Sequence, residues 1–538
     1  MKILLAPIVE NEESQGSLAV PPQSVANQQL VVALSFSNLL HTRVWSSLLG
    51  SVLVPSAFTR APATRAQLFS AMLSVLLMAA LIFGLLRLAR STRNGVSISA
   101  RGALLVLGLW TINGLRTTFS PYIPYLRSGA WSGLSRGSMA TVTLLAAGGL
   151  FAAWHFRRSL CPFLSAVLLI TSPAIALTFG QAAWAATVSD SKYLDRPLAH
   201  SLSNTSQHAA RVVWIVFDEL DRALTFDTRP KSLRLPELDM MRQQAVSASS
   251  AFSPAGSTVP SMISALTGRP VTAVNDLGTQ RIEVRFKDGD QNSSWARDNV
   301  FSDVRALGYN TGAVGWHLPY CRVLNDALTQ CWWDALPSVT NSTDGTGLAQ
   351  GVRDILRTNL EGASFGLARP SLIMEGFAKM YQASTAHAAA MAIDGNLGLV
   401  LLHLPGAHAP YVYSRNSGKF DRTFSLPSGY PDGLALVDRT FGELHRAMVV
   451  AGEWDRTTVI LTSDHWFRDA DKLTGKIDKR VPFLVKLAGQ NKPIPYPRSF
   501  NTLITRDLIL ALLRREITSP DDLVAWLDRG QVELSARH

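Results

Sequence analysis

The fold is decided by Thr457-Thr-Val-Ile-Leu-Thr-Ser-Asp-His465. A short run of β-branched and aliphatic residues stops abruptly at a carboxylate and an imidazole. A run of this length and composition reads as a buried strand. Arg211-Val-Val-Trp-Ile-Val-Phe217 has the same character and stops at Asp218. Tyr309-Asn-Thr-Gly-Ala-Val-Gly-Trp316, Leu397-Gly-Leu-Val-Leu-Leu-His403 and Val481-Pro-Phe-Leu-Val-Lys486 are further runs of the kind. Helical patterns separate them, at 432–451 for example. Strands alternating with helices imply an α/β domain whose mostly parallel sheet is covered on both faces.

In such sheets the site lies beyond the carboxyl ends of the strands. The residues there are Asp218-Glu219-Leu-Asp221, Asp464-His465 and His403-Leu-Pro-Gly-Ala-His408-Ala-Pro-Tyr411. A hydroxyl joins them in Ser253-Pro-Ala-Gly-Ser-Thr-Val-Pro-Ser-Met-Ile-Ser-Ala-Leu-Thr-Gly268. Pro260 suits a first helical turn, and Met262, Ile263 and Leu266 repeat at helical spacing. Thr258 is therefore expected at a helix N-terminus, where free N–H groups and the dipole favour an anion. A metal there would draw its hydroxyl toward alkoxide. Asp218, Asp464 and His465, with Thr258 as fourth ligand, make a plausible set for a divalent metal. Two carboxylates and an imidazole suit zinc best, with manganese next and calcium, which prefers oxygen, last. His403 reads as a satisfied core histidine. Glu219 and Asp221 stay open between supporting partner, extra ligand and solvated charge.

The chain has 538 residues, more than one domain's worth, and a formal charge of +11 spread without a polybasic run. That spread does not read as nucleic-acid binding, and no nucleic-acid partner is expected; it fits anionic lipid or an anionic substrate. Residues 1–28 read as a polar cytoplasmic segment without a cleavable signal. Residues 29–186 read as a helical membrane domain of about five spans, near 29–58, 68–88, 102–116, 138–156 and 162–184. Arg87, Arg90, Arg93, Arg101, Arg157 and Arg158 fall in loops that the positive-inside bias puts in the cytoplasm. Residues 187–208 read as a linker, and 209–538 as an extracytoplasmic catalytic domain. Cys321 and Cys331, close together in an exported domain, are expected to form a disulfide.

Taken together, residues 210–490 resemble the alkaline phosphatase/sulfatase superfamily. The resemblance rests on Val-Val-Trp-Ile-Val-Phe-Asp-Glu219, on Ser257-Thr-Val-Pro-Ser-Met-Ile-Ser-Ala-Leu-Thr-Gly-Arg269, on Val437-Asp-Arg-Thr-Phe-Gly-Glu-Leu444, on Gly452 through His465, and on Arg480-Val-Pro-Phe-Leu-Val485. With membrane spans ahead of it, the domain is similar to bacterial phosphoethanolamine and phosphoglycerol transferases. That resemblance implies a phosphothreonine-type intermediate on Thr258, a phospholipid donor, an envelope glycan or lipid acceptor, and a role for His408 with substrate or a second metal. It also implies a multi-pass protein of the bacterial inner membrane with a periplasmic catalytic domain. Several positions depart from the pattern. The transferases usually carry Glu where Asp218 stands. Sulfatases carry Cys or Ser at Thr258, for oxidation to formylglycine, and Arg where Met262 stands. Trp466-Phe467 replace a common Gly, and no histidine lies between 466 and 500, where Lys472, Lys476 or Lys479 could meet an anion instead. The rival readings are a sulfatase-like or phosphodiester hydrolase, and a non-catalytic envelope binding protein of the same fold.

Overall fold

The computed structural model describes residues 22–53, 63–119, 157–192, 197–202, 210–276, 282–292, 294–335, 347–363, 371–420 and 429–536. The chain divides into two compact units. One holds Met1–Leu53, Pro62–Ser191 and Val339–Leu372, and the other holds Val54–Ala61, Lys192–Ser338 and Ile373–His538. The units depart from the expected boundaries in where they place Val54–Ala61 and Val339–Leu372. Residues 339–372, read as part of the catalytic domain, belong with the N-terminal helices.

The helical unit contains α1 (Pro22–Leu40), α2 (Thr42–Leu53), α3 (Arg65–Leu88), α4 (Asn94–Phe119), α5 (Arg157–Ile170) and α6 (Pro173–Lys192). Thr64 starts α3 with a capping box, its side chain accepting from the Gln67 amide while Gln67 accepts in return. Both faces of α3 are apolar: Leu68, Ala71, Val75 and Ile82 are buried, while Phe69, Leu76, Leu77 and Leu81 are exposed. A helix apolar all round belongs in a core or a bilayer. Among the described residues three stretches are long and apolar enough to cross a membrane, Arg65–Leu88, Asn94–Arg116 and Pro162–Thr187. They coincide with three of the five expected spans, those near 68–88, 102–116 and 162–184. In the segment near 29–58 the described residues form two helices broken at His41, whose Nδ1 lies 2.8 Å from the Ser37 carbonyl. The segment 138–156 lies outside the described residues.

The second unit is built on one eight-stranded sheet. Its strands are β1 (Val212–Phe217), β2 (Val246–Phe252), β3 (Asn310–Trp316), β4 (Gln330–Asp334), β5 (Leu397–Leu404), β6 (Thr458–Thr462), β7 (Arg480–Lys486) and β8 (Ile494–Asn501). The spatial order is β8-β2-β7-β6-β1-β5-β3-β4, and β7 alone runs against the rest. β1 is central, parallel to β6 on one side and β5 on the other, and all six of its residues are buried. Its side chains alternate between two cores: Val212, Trp214 and Val216 face one, Val213, Ile215 and Phe217 the other. Each face is therefore covered, as a mostly parallel sheet requires. The disulfide between Cys321 and Cys331 is formed and ties the turn after β3 to β4.

Candidate active site

Register brings the site together. Val216 of β1 pairs with Thr462 of β6 and with His403 of β5. The residues leaving these strands, Asp218 and Asp464-His465, thus emerge side by side, next to His403. One ligand atom each from Asp218, His403 and Asp464 lies within 4.8 Å of the others. Gly406 makes the close approach on this rim. It adopts φ 57°, and a Cβ there would lie 2.8 Å from the backbone N and O of Asp218.

The hydroxyl comes from α7 (Thr258–Thr267), which opens on Thr258 after an extended Ser257. Thr258 Oγ1 donates to Asp218 Oδ2 at 3.3 Å and lies 3.4 Å from His465 Nε2. His465 Nε2 is in turn 3.5 Å from Asp218 Oδ1 and 3.4 Å from Asp464 Oδ2. His465 Nδ1 lies 2.9 Å from the Trp466 carbonyl, which can only accept. Nδ1 therefore carries the proton and Nε2 presents a lone pair to the carboxylates and the hydroxyl. The four residues expected to hold a metal, Asp218, Thr258, Asp464 and His465, are gathered at one point.

His403 departs from its expected role. It is fully buried, and Nδ1 lies 2.8 Å from the Tyr320 hydroxyl. Its Nε2, however, is buried without a hydrogen-bond partner, as are Asp218 Oδ1 and Asp464 Oδ2. A buried polar atom left unpaired costs about 1–3 kcal/mol, and more when charged. Two carboxylate oxygens and an imidazole nitrogen left bare together form the donor set of a divalent cation. The residues present thus fit a metal, with His403 added to the expected ligands.

Electrostatics agree with this reading. Burial, then the charges of Asp464 and Glu219, push the Asp218 carboxyl well above the usual range. Burial works to raise Asp464 too, but His465 and then His403 outweigh it and hold that carboxyl low. Burial pushes His403 down to about 4, so it stays neutral at ordinary pH. Two adjacent buried carboxylates are stable together only with positive charge between them.

The remaining candidates fall around this centre. Glu219 is buried at φ 57°. Its amide donates to Asp464 Oδ1 at 3.2 Å, and its carboxylate accepts from Arg468 Nε at 2.8 Å. It is a braced partner rather than a solvated charge. Asp221 accepts from the Leu224 amide at 2.8 Å and so caps the short turn that follows; burial raises its carboxyl to about 6. His408 is half-buried, edge-on to Trp316 with ring centroids 5.3 Å apart. It lines an aromatic recess with Trp316, Tyr381, Tyr411 and Tyr413. Burial lowers its imidazole. Trp466 packs over the loop leading to Thr258: a Cβ on Gly256 would lie 2.8 Å from its ring. Of the three candidate lysines, Lys479 is seated 5.4 Å from the Trp466 ring, while Lys472 pairs with exposed Asp469.

Sequence reasoning missed His317 and Arg468. His317 follows the last residue of β3 at φ 63°. Burial, then the nearby His408, push it down to about 4, while Asp464 pulls the other way. Its position one residue past a strand's carboxyl end was the available signal. Arg468 carried none, because nothing in the sequence pairs it with Glu219.

The sequence pattern of the family described as Sulfatase matches residues 210–525. No curated relative matches the chain. Among solved structures the chain is similar to Ps i-CgsB, at 17% identity over 59% of this chain and 74% of that one, with a TM-score of 0.42. It is similar to the phosphonate monoester hydrolase of Agrobacterium radiobacter, at 14% identity over 57% and 74%, with a TM-score of 0.37. A protein in the alkaline phosphatase superfamily from Vibrio parahaemolyticus gives 13% identity over 59% and 68%, with a TM-score of 0.38. Likeness at this level carries no argument about substrate.

Proposed function

This chain belongs to the sulfatase family, and from that premise we propose that it is a metal-dependent phosphotransferase working through a covalent threonine intermediate. The donor is a phospholipid, the transferred head group is of the phosphoethanolamine or phosphoglycerol type, and the acceptor is an envelope glycan or lipid. The observation that carries the reading is the contact of Thr258 Oγ1 with Asp218 Oδ2 and His465 Nε2, at 3.3 and 3.4 Å, beside three unpaired ligand atoms.

Asp218, Asp464, His465 and His403 would hold the cation, with zinc favoured by the mixed oxygen and nitrogen donors. When bound, the cation lowers the proton affinity of the Thr258 hydroxyl and offsets phosphoryl charge. The chain's own groups supply the rest. Asp218 Oδ2 accepts the Thr258 proton. The Thr258 oxygen forms a bond to phosphorus as the bond from phosphorus to the lipid oxygen breaks, and a proton ends on the lipid hydroxyl. In the second half an acceptor hydroxyl oxygen forms a bond to the same phosphorus as the bond from phosphorus to the Thr258 oxygen breaks, and the acceptor's proton ends on Thr258. His408 and His317 lie at the edge where a leaving oxygen or an anion can be met. Threonine also bears on the rival sulfatase chemistry. Its hydroxyl is secondary, so oxidation gives a ketone and not the aldehyde that formylglycine requires.

Intact-mass measurement of the full chain after incubation with phospholipid vesicles tests this. A mass gain equal to the head-group phosphate, absent from Thr258→Ala, is expected. Turnover of an aryl sulfate by Thr258→Ala at the wild-type rate would reject the proposal.

A further inference from the structure

The chain between β4 and β5 contributes α8 (Leu348–Ala363), and this helix packs with the N-terminal helices rather than with the sheet. It touches α3, α4 and α2. Ser70 Oγ of α3 donates to the Leu348 carbonyl at 3.1 Å. The fit is close, since a Cβ on Gly351 would lie 2.3 Å from the same Oγ. Ile355 is buried in one cluster with Val44, Trp45, Leu68 and Ala182.

The polarity of α8 is reversed. Its inward side buries Asp354, Thr358 and Asn359 along with Ile355. Its outward side exposes Leu348, Leu356 and Leu360 at 46, 46 and 55%. These leucines recur at multiples of four and form one stripe. A helix in water shows the opposite arrangement, because each exposed leucine forgoes about 1.5–3 kcal/mol of burial. The stripe also continues an apolar belt. Phe69, in the turn of α3 that meets Gly351, is itself exposed, as are Leu76, Leu77 and Leu81 further along.

We propose that α8 is a membrane-seated helix whose leucine stripe lies in the bilayer, at the end of α3 remote from Arg87. Ser70 and Arg87 are 17 residues apart on α3, roughly 26 Å at 1.5 Å per residue, close to the ~30 Å of a hydrocarbon core. Arg87 with Arg90, Arg93 and Arg101 marks the cytoplasmic interface by the positive-inside bias. The α8 contact on Ser70 therefore falls at the opposite interface. Exposed Arg353 flanks the stripe, where its charge reaches water while its stem lies along lipid. The catalytic chain thus returns to the bilayer between β4 and β5. This inference does not depend on the chemistry at Thr258.

The test is nitroxide labelling of the full chain in phospholipid vesicles, in a Cys161→Ser background that keeps the disulfide. Labels go on Leu356→Cys and Leu360→Cys, with Val450→Cys, 89% exposed at the end of a helix in the other unit, as the aqueous reference. Labels at 356 and 360 are expected to collide several-fold more with oxygen, relative to an aqueous nickel chelate, than the label at 450. Values equal to those at 450 would overturn the proposal. The thermal midpoint of each labelled chain verifies folding, and turnover of a soluble phosphodiester reports separately on the catalytic reading.

Discussion

The two edges of the central sheet bury charge in opposite ways. At the edge where β1 begins, Arg211 is buried but every guanidinium nitrogen is used. It donates to the carbonyls of Leu397, Met391 and Ala392 and to Thr457, and it pairs with Glu453 at 3.4 Å. Lys486, on the same edge because β7 runs backwards, donates to the carbonyls of Trp454 and Leu487. At the other edge Asp218, Asp464 and His403 each leave a buried ligand atom bare. One edge is satisfied by the chain alone; the other keeps three buried ligand atoms without a hydrogen-bond partner. Burial of charge by itself does not mark a site, whereas unspent hydrogen-bonding capacity does.

This contrast can be broken from either side. The largest effect is expected from Thr258→Ala, which should lower phosphodiester turnover by about 10³-fold or more while leaving the thermal midpoint nearly unchanged. Steady-state kinetics beside a melting curve would reveal any other outcome. At the satisfied edge, Arg211→Met should destabilise the folded domain by about 3–5 kcal/mol, since it strands Glu453 and several carbonyls. Metal content per folded chain should not change, and denaturant titration with elemental analysis separates the two. Tyr320→Phe sharpens the comparison. It removes the hydroxyl 2.8 Å from His403 Nδ1 and should weaken metal affinity by about 10–100-fold, measurable by competition with a chelator. The smallest effect concerns Asp438, a buried carboxylate on α9 (Tyr430–Val450) that accepts from the Leu238 amide at 2.9 Å. Burial raises it to about 7. The folded state then holds a proton that the unfolded chain releases near pH ~3.9, so this group's contribution falls as pH rises from about 4 to 7. Asp438→Asn should flatten the pH dependence of the melting temperature across that window.

How much of this was legible depends on how each residue is surrounded. β1 and β6 were readable because a central strand buried on both faces must be a continuous aliphatic run. β2, Val-Ser-Ala-Ser-Ser-Ala-Phe, alternates small polar residues, and β8 carries Pro495 and Pro497 as an edge strand can. Neither has the aliphatic density that marks a buried strand. Thr258, Asp218, Asp464 and His465 could be placed because each lies past a strand or at a helix start. His403 was not legible because it sits inside β5 between Leu402 and Leu404, and sequence does not tell whether the second ring nitrogen has a partner. The expected span near 29–58 failed on geometry of another kind, the break at His41. α8 was not read from the sequence, since only its neighbours reveal which side is buried.

The central claim is that the carboxyl edge of the sheet is built to hold a divalent cation against Thr258. Elemental analysis of the purified full chain, wild type against Asp464→Asn, tests it most directly. About one tightly held divalent ion per wild-type chain, zinc foremost, and little in the folded variant is the expected result. Active wild-type protein with no bound ion, or an Asp464→Asn chain that retains a full equivalent, would contradict it.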